Sequence, residues 1–266
     1  MLIFIGLGFA PQHLTLEALN HIVKCDKIII DTYTGIIQED YIDTIKPLLK
    51  GKEVVYAKRR DLEGSSIEKL VAEAKNRDIV VLVPGDPFIA TTHDAIRAEA
   101  GRRGVKVKVV NGLSIVNLAI TKCGLQIYRF GKVITLVFPE ITKPYSVIDT
   151  IYDNLNRRLH TLVLLDIRVE EGKYMGIGEA VDILIDMDVE NRLANTIGIG
   201  LERLGFRDEK VIADLLPSLR KYRFHKPPHS LIILSEPHPI ELDCLLHYCN
   251  LPLNVYLDFS SRRKRG

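Results

Sequence analysis

The stretch "DIVVLVPGDPFIATTHDAI", residues 78–96, decides the fold, because it joins three local patterns without interruption. Its continuous run of apolar, mostly β-branched residues predicts a strand that is buried on both faces of a sheet. A rigid turn, "PGDP" at 84–87, follows that run, and a helical pattern extends over 90–104 to a glycine. The stretch therefore predicts a strand–turn–helix unit, the repeating element of a parallel sheet covered by helices.

The turn "PGDP" carries a carboxylate where a phosphate-binding loop carries glycines, lysine and a hydroxyl. When it is ionised, Asp86 can only accept hydrogen bonds, so its suitable partners are hydroxyls, amines or cations. A ribose diol or an ammonium group fits these requirements, whereas a phosphate would be repelled. A structural interpretation is equally open at this point, since aspartate often shapes turns or begins helices.

The same alternation of strands and helices runs through the whole chain. Strand patterns occur at 2–5, 27–31, 53–57, 78–83, 105–110, 133–138, 160–167, 195–201, 210–214 and 230–234. Helical patterns occur at 14–25, 41–49, 65–76, 90–104, 113–124, 146–158, 176–187 and 240–249. This order predicts an α/β protein with two α/β domains and mainly parallel sheets. We place the boundary in the aperiodic stretch "GLQIYRFGK", which gives an N-terminal domain over 1–124 and a C-terminal domain over 125–266.

Three further turns follow or precede predicted strands, and ligands of parallel sheets bind beyond the carboxyl ends of strands. "GLGFAP" (6–11) begins like a dinucleotide-binding fingerprint, but proline replaces its third glycine, which favours a structural turn. In "NGLSIVNLA" (111–119), Ser114 either caps a helix or offers its hydroxyl to a ligand. In "KPPHSLII", two prolines fix His229 at the start of a strand, although a lone histidine is more often structural than catalytic.

Composition and motifs argue against several classes of protein. The chain is 47% hydrophobic and 26% charged, and its net charge of +2 does not indicate a nucleic-acid partner. No apolar run reaches about 18 residues, so no membrane partner is expected. The four cysteines form no Cys-x-x-Cys pair, which predicts neither a metal site nor a disulfide framework. The absence of Gly-x-Ser-x-Gly leaves a hydrolase triad without an anchor.

These turns, in this order, resemble the tetrapyrrole-methylase superfamily of S-adenosylmethionine-dependent methyltransferases, and within it most closely the diphthine synthase family. The motifs that carry the resemblance are "FIGLGF" (4–9), "DTYTG" (31–35), "VPGDPFIATTH" (83–93), "NGLSIVNLA", "GLQIYRFGK", "HTLVLLDI" (160–167), "YMGIGEA" (174–180) and "PPHSLIIL" (227–234). They span nearly the whole chain. "GDP" alone marks the superfamily, whereas "GDPFIATTH" followed by "GLQIYRFGK" is characteristic of diphthine synthases.

The resemblance implies that S-adenosyl-L-methionine binds in a cleft between two α/β domains. The residues that it implies as cofactor contacts are Phe9, Asp86, Ile89, Ser114, Ile115, Leu165, Leu204 and His229. Such a cofactor carries a sulfonium, an amino-acid end and an adenosine but no phosphate. An acidic turn flanked by apolar side chains suits that chemistry, and a phosphate cradle would not.

The activity implied is N-methylation of the amino group of the modified histidine, the diphthamide precursor, on elongation factor 2. The resemblance also implies a cytoplasmic homodimer that needs no metal. Asp86, Asp166 and His229 are possible general bases, but the proton could also leave to water, so no catalytic residue is assigned. The alternatives are a tetrapyrrole, corrin or ribosomal RNA methyltransferase of the same superfamily, or a non-enzymatic metabolite-binding module. The number of methyl groups transferred stays open.

Overall fold

Two compact units make up the computed structural model, which describes residues 1–140 and 143–263. The first unit contains residues 1–115, 168–173 and 205–207, and the rest of the described chain forms the second. Both are α/β, which confirms the predicted fold class of two α/β domains. Along the chain, the first segment of the first unit ends at residue 115 and the second unit begins at residue 116. The predicted domain boundary between residues 124 and 125 concerns independent folding, and it stays a prediction.

The first unit is built on a five-stranded sheet whose strand pairs are all parallel. Its spatial order is β3-β2-β4-β1-β5. The strands are β1 (Leu2–Gly6), β2 (Lys27–Asp31), β3 (Glu53–Ala57), β4 (Ile79–Val83) and β5 (Val107–Val110). The helices are α1 (Leu16–Lys24), α2 (Tyr41–Leu49), α3 (Arg59–Leu62), α4 (Ser66–Glu73) and α5 (Asp94–Arg102), with a 3-10 turn at Pro11–His13. This sheet confirms the parallel arrangement that the sequence predicted for the first half.

The central strands of this sheet are buried on both faces. In β1, Leu2 and Phe4 belong to one hydrophobic cluster with α4 and α5, whereas Ile3 and Ile5 belong to another with α1 and α2. The five residues of β4 are likewise buried throughout. Because alternate side chains point to opposite faces, both layers of helices need apolar partners. The uninterrupted apolar run in β4 therefore follows from its central position.

Helix α5 begins at Asp94, four residues later than the pattern over 90–104 predicts. Ala90 has a φ of +58°, which is incompatible with a right-handed helix at that residue. The hydroxyl of Thr91 donates to the carbonyl of Pro87 at 2.6 Å, so the turn continues through this segment. The result is a long, ordered connection between β4 and α5.

The second unit contains a five-stranded sheet with the order β11-β10-β12-β7-β6. Its strands are β6 (Ile134–Leu136), β7 (Thr161–Leu165), β10 (Ile197–Glu202), β11 (Lys210–Leu215) and β12 (His229–Ile233). The helices of this unit are α6 (Ile115–Lys122), α7 (Tyr145–Asn156), α8 (Ile177–Met187), α9 (Pro239–Tyr248) and α10 (Leu253–Arg263), with 3-10 turns at Ile127–Arg129 and Leu216–Lys221. A separate two-stranded sheet consists of β8 (Ile167–Arg168) and β9 (Lys173–Tyr174), and the 3-10 turn Val169–Glu171 between them belongs to the first unit.

Strand direction in this second sheet differs from the prediction of mainly parallel sheets. Only β6 and β7 pair in parallel, and the pairs β7–β12, β12–β10 and β10–β11 are antiparallel. The reason lies in the connections. Helix α7 forms a crossover between β6 and β7, whereas β10 turns directly into β11 without an intervening helix. The sequence predicted both strands with no helical pattern between them, but the alternation in the rest of the chain led to the expectation of parallel pairing.

Candidate functional site

Three turns follow the neighbouring strands β4, β1 and β5 and pack backbone against backbone. The amide of Gly8 donates to the carbonyl of Gly85 at 3.0 Å, and the amide of Gly85 donates back at 2.9 Å. A Cβ added to Gly112 would lie 2.2 Å from the Gly85 oxygen and 2.8 Å from the backbone of Gly6. Gly6 and Gly112 are needed here because only an unsubstituted Cα permits such an approach. The structural interpretation of the "GLG" turn is therefore confirmed, since Gly8 also has a φ of +61°.

Asp86 joins two of these turns through its own carboxylate. Its Oδ1 accepts a hydrogen bond from the Phe88 amide at 3.0 Å. Its Oδ2 accepts from Asn111 Nδ2 at 2.9 Å and from the Gly112 amide at 3.3 Å. The side chain is only 6% exposed. A carboxylate has about four acceptor positions, so three bonds within the protein leave room for about one donor from a ligand.

Asn111 is a residue that the sequence analysis overlooked. It begins the motif "NGLSIVNLA", in which only Ser114 was singled out. Its side-chain amide supplies the donor that fixes Asp86 against the third turn. The signal was present in the sequence, since an amide side chain at the end of a predicted strand can satisfy a nearby carboxylate.

Apolar side chains border the same turns in the first unit. Ile89 and Leu113 are 44% and 40% exposed, which is unusual for side chains of their size. The half-buried ring of Phe9 packs against Phe206 with 6.1 Å between ring centres. Ser114 is buried, and Ile115, the first residue of α6, is half-buried. The structure thus brings five of the expected contacts into three adjacent turns.

Two buried polar side chains, Asp31 and His93, stabilise the connection between β4 and α5. His93, at the start of α5, places its Nε2 3.0 Å from Asp31 Oδ2, and both side chains are fully buried. The other carboxylate oxygen of Asp31 accepts from the amides of Tyr33 and Thr34 at 2.9 and 3.1 Å. The pair ties the turn after β2 to the turn after β4. This geometry gives His93 a structural role.

The three candidate residues of the second unit lie at one end of its sheet. His229 begins β12, Leu165 ends the neighbouring strand β7, and Leu204 follows closely after β10. Leu165 and Leu204 are 4% and 3% exposed, so both side chains are committed to packing. The Pro227–Pro228 bond before His229 is cis, and Arg203 holds this turn by donating to both proline carbonyls.

The His229 side chain is buried, and the Met175 backbone lies close to its ring. Neither ring nitrogen has a hydrogen-bond partner among residues 1–140 and 143–263. Burial lowers the pKa of His229 below its ordinary value of 6.5, although the Glu202 carboxylate and the Met175 backbone act in the opposite direction. The ring is therefore neutral at pH 7 and can accept a proton or a hydrogen bond.

The described residues contain no group of three or more histidine, cysteine, aspartate or glutamate side chains arranged to hold a metal ion. They also include no helix that is long and apolar enough to cross a membrane. The chemistry available in the candidate residues is therefore that of hydrogen-bond acceptors, apolar surfaces and backbone groups.

Comparison with known proteins places these features in a family. A family model described as Tetrapyrrole (Corrin/Porphyrin) Methylases matches residues 1–220. A protein named diphthine synthase from Staphylothermus marinus is 56% identical over 261 residues, which cover 98% of each chain. A protein named diphthine methyl ester synthase from Kluyveromyces lactis is 34% identical and aligns with 94% of this chain and 90% of its own length. A crystal structure of diphthine synthase superposes with a TM-score of 0.86 at 33% identity and covers 96% of this chain and 98% of that one.

Proposed function

The chain belongs to the tetrapyrrole (corrin/porphyrin) methylases and, within them, to the diphthine synthases, and we propose that it is an S-adenosylmethionine-dependent methyltransferase of diphthamide biosynthesis. Its substrate is the modified histidine of elongation factor 2, whose amino group it methylates. The observation that carries this proposal is the 56% identity extending over 98% of both chains. A methylase of tetrapyrroles, corrins or ribosomal RNA is not favoured, because the full-length relatives bear diphthine synthase names.

The residues of the first unit fit the proposed cofactor. The turns at 6–11, 84–89 and 111–115 contain no lysine or arginine, and S-adenosylmethionine has no phosphate to neutralise. The exposed side chain of Ile89 offers an apolar surface to an adenine or a thioether. Asp86 retains about one acceptor position for a hydroxyl or ammonium donor. We propose that Phe9, Ser114 and Ile115 complete the contacts from this unit.

The three candidate residues of the second unit differ in what they can offer a ligand. His229 has two buried ring nitrogens without hydrogen-bond partners among the described residues, and such groups in native proteins usually bind a ligand or water. Leu165 and Leu204 are buried in packing. We therefore propose that these two leucines and His229 contact the cofactor through backbone atoms, and that the His229 ring faces the methyl acceptor.

The cofactor, when bound, supplies a methyl group already activated by the positive sulfur. The chain has to hold the donor and the amine in line and to keep water from separating them. Correct positioning of two reactants contributes roughly 7–11 kcal/mol to lowering a barrier. No metal is required for such a displacement. We also propose, from the family resemblance, that the enzyme acts as a cytoplasmic homodimer, and a sedimentation mass equal to two chains would test the dimer.

The deciding experiment is mass spectrometry of elongation factor 2 that carries the unmethylated precursor. We expect incubation with the protein and S-adenosylmethionine to add one or more increments of a methyl group and to release S-adenosylhomocysteine. Reactions without the protein and reactions without the cofactor are the controls. An unchanged elongation factor 2, together with methylation of a corrin ring or of ribosomal RNA, would establish the alternative activity. No release of S-adenosylhomocysteine with any acceptor would favour a passive binding module.

A further inference from the structure

Glu202 Oε2 and the two ring nitrogens of His229 are buried polar atoms without hydrogen-bond partners among residues 1–140 and 143–263. Glu202 ends β10 and lies directly opposite His229 in the antiparallel register of β10 and β12. Directly opposite residues point to the same face of a sheet, with Cβ atoms about 4.5–5.5 Å apart. The two residues are 5% and 7% exposed. The two side chains therefore lie next to each other on that face of the sheet.

The hydrogen bonds of Glu202 are unequally distributed between its two oxygens. Oε1 accepts from the backbone amides of His225 and Lys226 at 2.9 and 2.8 Å. Oε2 is buried and has no partner within the described part of the chain. Leaving a buried acceptor unpaired costs about 1–3 kcal/mol, and more for a charged group. Because the two amide bonds fix the carboxylate, Oε2 is held in place as a preformed acceptor.

The groups that surround the pair do not neutralise it. Lys210 lies opposite Glu202 on β11, but its Nζ donates to the Arg223 carbonyl at 2.7 Å and lies 5.3 Å from the centre of the Phe224 ring. Phe224 also meets His229 edge-on at 6.4 Å. The same ring helps to line a surface cavity of about 470 Å³. Further ionisable side chains on the adjoining segments are Tyr222, Arg223, His225 and Lys226 around Phe224, Asp166 after β7, and Arg203, which follows Glu202 and pairs with Asp208.

Glu202 Oε2 and the acceptor nitrogen of the neutral His229 ring are complementary to a group that carries N–H bonds and develops positive charge. An alkyl amine undergoing methylation has both properties. We propose that Glu202 Oε2 and the His229 ring form the site that binds the acceptor amine and takes up its proton. This inference rests on the proposed function, and it assigns Glu202 a part that the cofactor contacts do not include.

The proposed step is a displacement at the methyl carbon by the amine nitrogen. The amine lone pair forms the N–C bond, and the C–S bond breaks with its electron pair remaining on sulfur. The sulfonium becomes a neutral thioether, and the nitrogen becomes an ammonium that donates to Glu202 Oε2. A nitrogen of the neutral His229 ring takes one proton from it and releases that proton to water. The amine is then ready for a further methyl group.

The test compares Glu202→Gln with Asp214→Asn, which makes the same chemical change in a carboxylate on the adjacent strand β11. Asp214 is also buried, but both of its oxygens are hydrogen-bonded, to Tyr222 and to the Leu215 amide. We expect Glu202→Gln to bind S-adenosylhomocysteine within about twofold of wild type and to lose at least about tenfold in kcat on the elongation factor 2 precursor. Asp214→Asn should retain kcat.

The pH profile of kcat distinguishes a chemical role from a structural one. Activity requires neutral His229, so the wild-type rate rises as pH increases through the pKa of this ring. Because the Glu202 carboxylate raises that pKa, Glu202→Gln should move the acidic limb to lower pH. If Glu202→Gln keeps both the wild-type kcat and the wild-type position of the acidic limb, the proposal is wrong. If Glu202→Gln does not fold, the same measurements are made on Glu202→Asp. A wild-type kcat and a wild-type pH profile in that variant would contradict the proposal equally. A wild-type enzyme inactive on the precursor would refute the proposed function and this inference with it.

Discussion

Replacement of Asp86 by alanine tests two separate roles of the acidic turn. The carboxylate accepts from Phe88 N, Asn111 Nδ2 and Gly112 N at 3.0, 2.9 and 3.3 Å. It thereby joins the turn after β4 to the turn after β5. The proposed function adds a donor from the cofactor. Asp86→Ala should therefore lower both the stability of the free protein and the affinity for the cofactor.

The magnitude of the stability loss follows from the three bonds. A hydrogen bond to a charged group contributes about 1.5–3 kcal/mol. The bond to Gly112 is long, and water can reach the vacated space after truncation, so two bonds determine the result. We expect a destabilisation of about 3 kcal/mol. Loss of one donor from the cofactor should weaken its binding by a further 1.5–3 kcal/mol, or about ten- to a hundredfold.

Thermal melting of the free protein and calorimetric titration with S-adenosylhomocysteine measure the two effects separately. Asp94→Ala is a suitable control, because Asp94 is exposed at the first position of α5 and lies in the same connection. It should change stability by less than about 1 kcal/mol. If Asp86→Ala melts at the same temperature as wild type, the bonds to Asn111 and Gly112 do not stabilise the fold. If its affinity for S-adenosylhomocysteine is also unchanged, Asp86 is not part of the cofactor site.

Two further predictions concern packing and pH. Gly112→Ala should prevent folding or lower the melting temperature severely, because its Cβ would lie 2.2 Å from a carbonyl oxygen. In Gly85→Ala the new Cβ would lie 3.4 Å from the Phe9 ring, and the φ of +70° should cost only about 1–2 kcal/mol. Identical melting curves for the two variants would contradict this contrast. Burial favours protonated Glu241, but hydrogen bonds from His160 and from two backbone amides outweigh it and lower its pKa to about 2. Since this pKa lies below the ordinary value of 4.5, Glu241 stabilises the fold above that pH by up to about 3 kcal/mol and loses this effect as pH falls toward 2. The difference in melting temperature between wild type and Glu241→Gln should therefore shrink over this range, and a constant difference would refute the assignment.

The sequence predicted the first sheet better than the second for a physical reason. Every residue of β4 is buried, so the uninterrupted apolar run at 79–83 indicates burial on both faces of the strand. Strand direction in the second sheet depends on whether a crossover helix intervenes, and the segment between β10 and β11 is too short for one. The expectation of parallel strands came instead from the alternation of strands and helices elsewhere in the chain. Helix α10 (Leu253–Arg263) was also missed, because its exposed Leu253 and Leu257 blur the helical periodicity.

The candidate site was predictable where it depends on local turn chemistry. Glycine, proline and aspartate at 84–87 indicate a rigid acidic turn, and the structure contains one. The partnership of Asp86 with Asn111 was not predictable, because it requires that β4 and β5 flank β1 at a particular register. The same limit applies to Glu202, whose position opposite His229 depends on antiparallel pairing that the sequence did not indicate.

Asp86 and Glu202 show why the hydrogen-bond state of a carboxylate matters more than its presence in a motif. Both are buried acidic residues next to a turn, and only Asp86 belongs to a recognisable motif. Yet both oxygens of Asp86 are engaged within the protein, whereas Glu202 has one oxygen, beside a neutral histidine, that has no partner in the described part of the chain. A group whose bonds are already made can position its neighbours but has little capacity to exchange a proton with a ligand. Proton transfer should therefore depend on Glu202 and His229, while substitutions of Asp86 should act mainly through binding and stability.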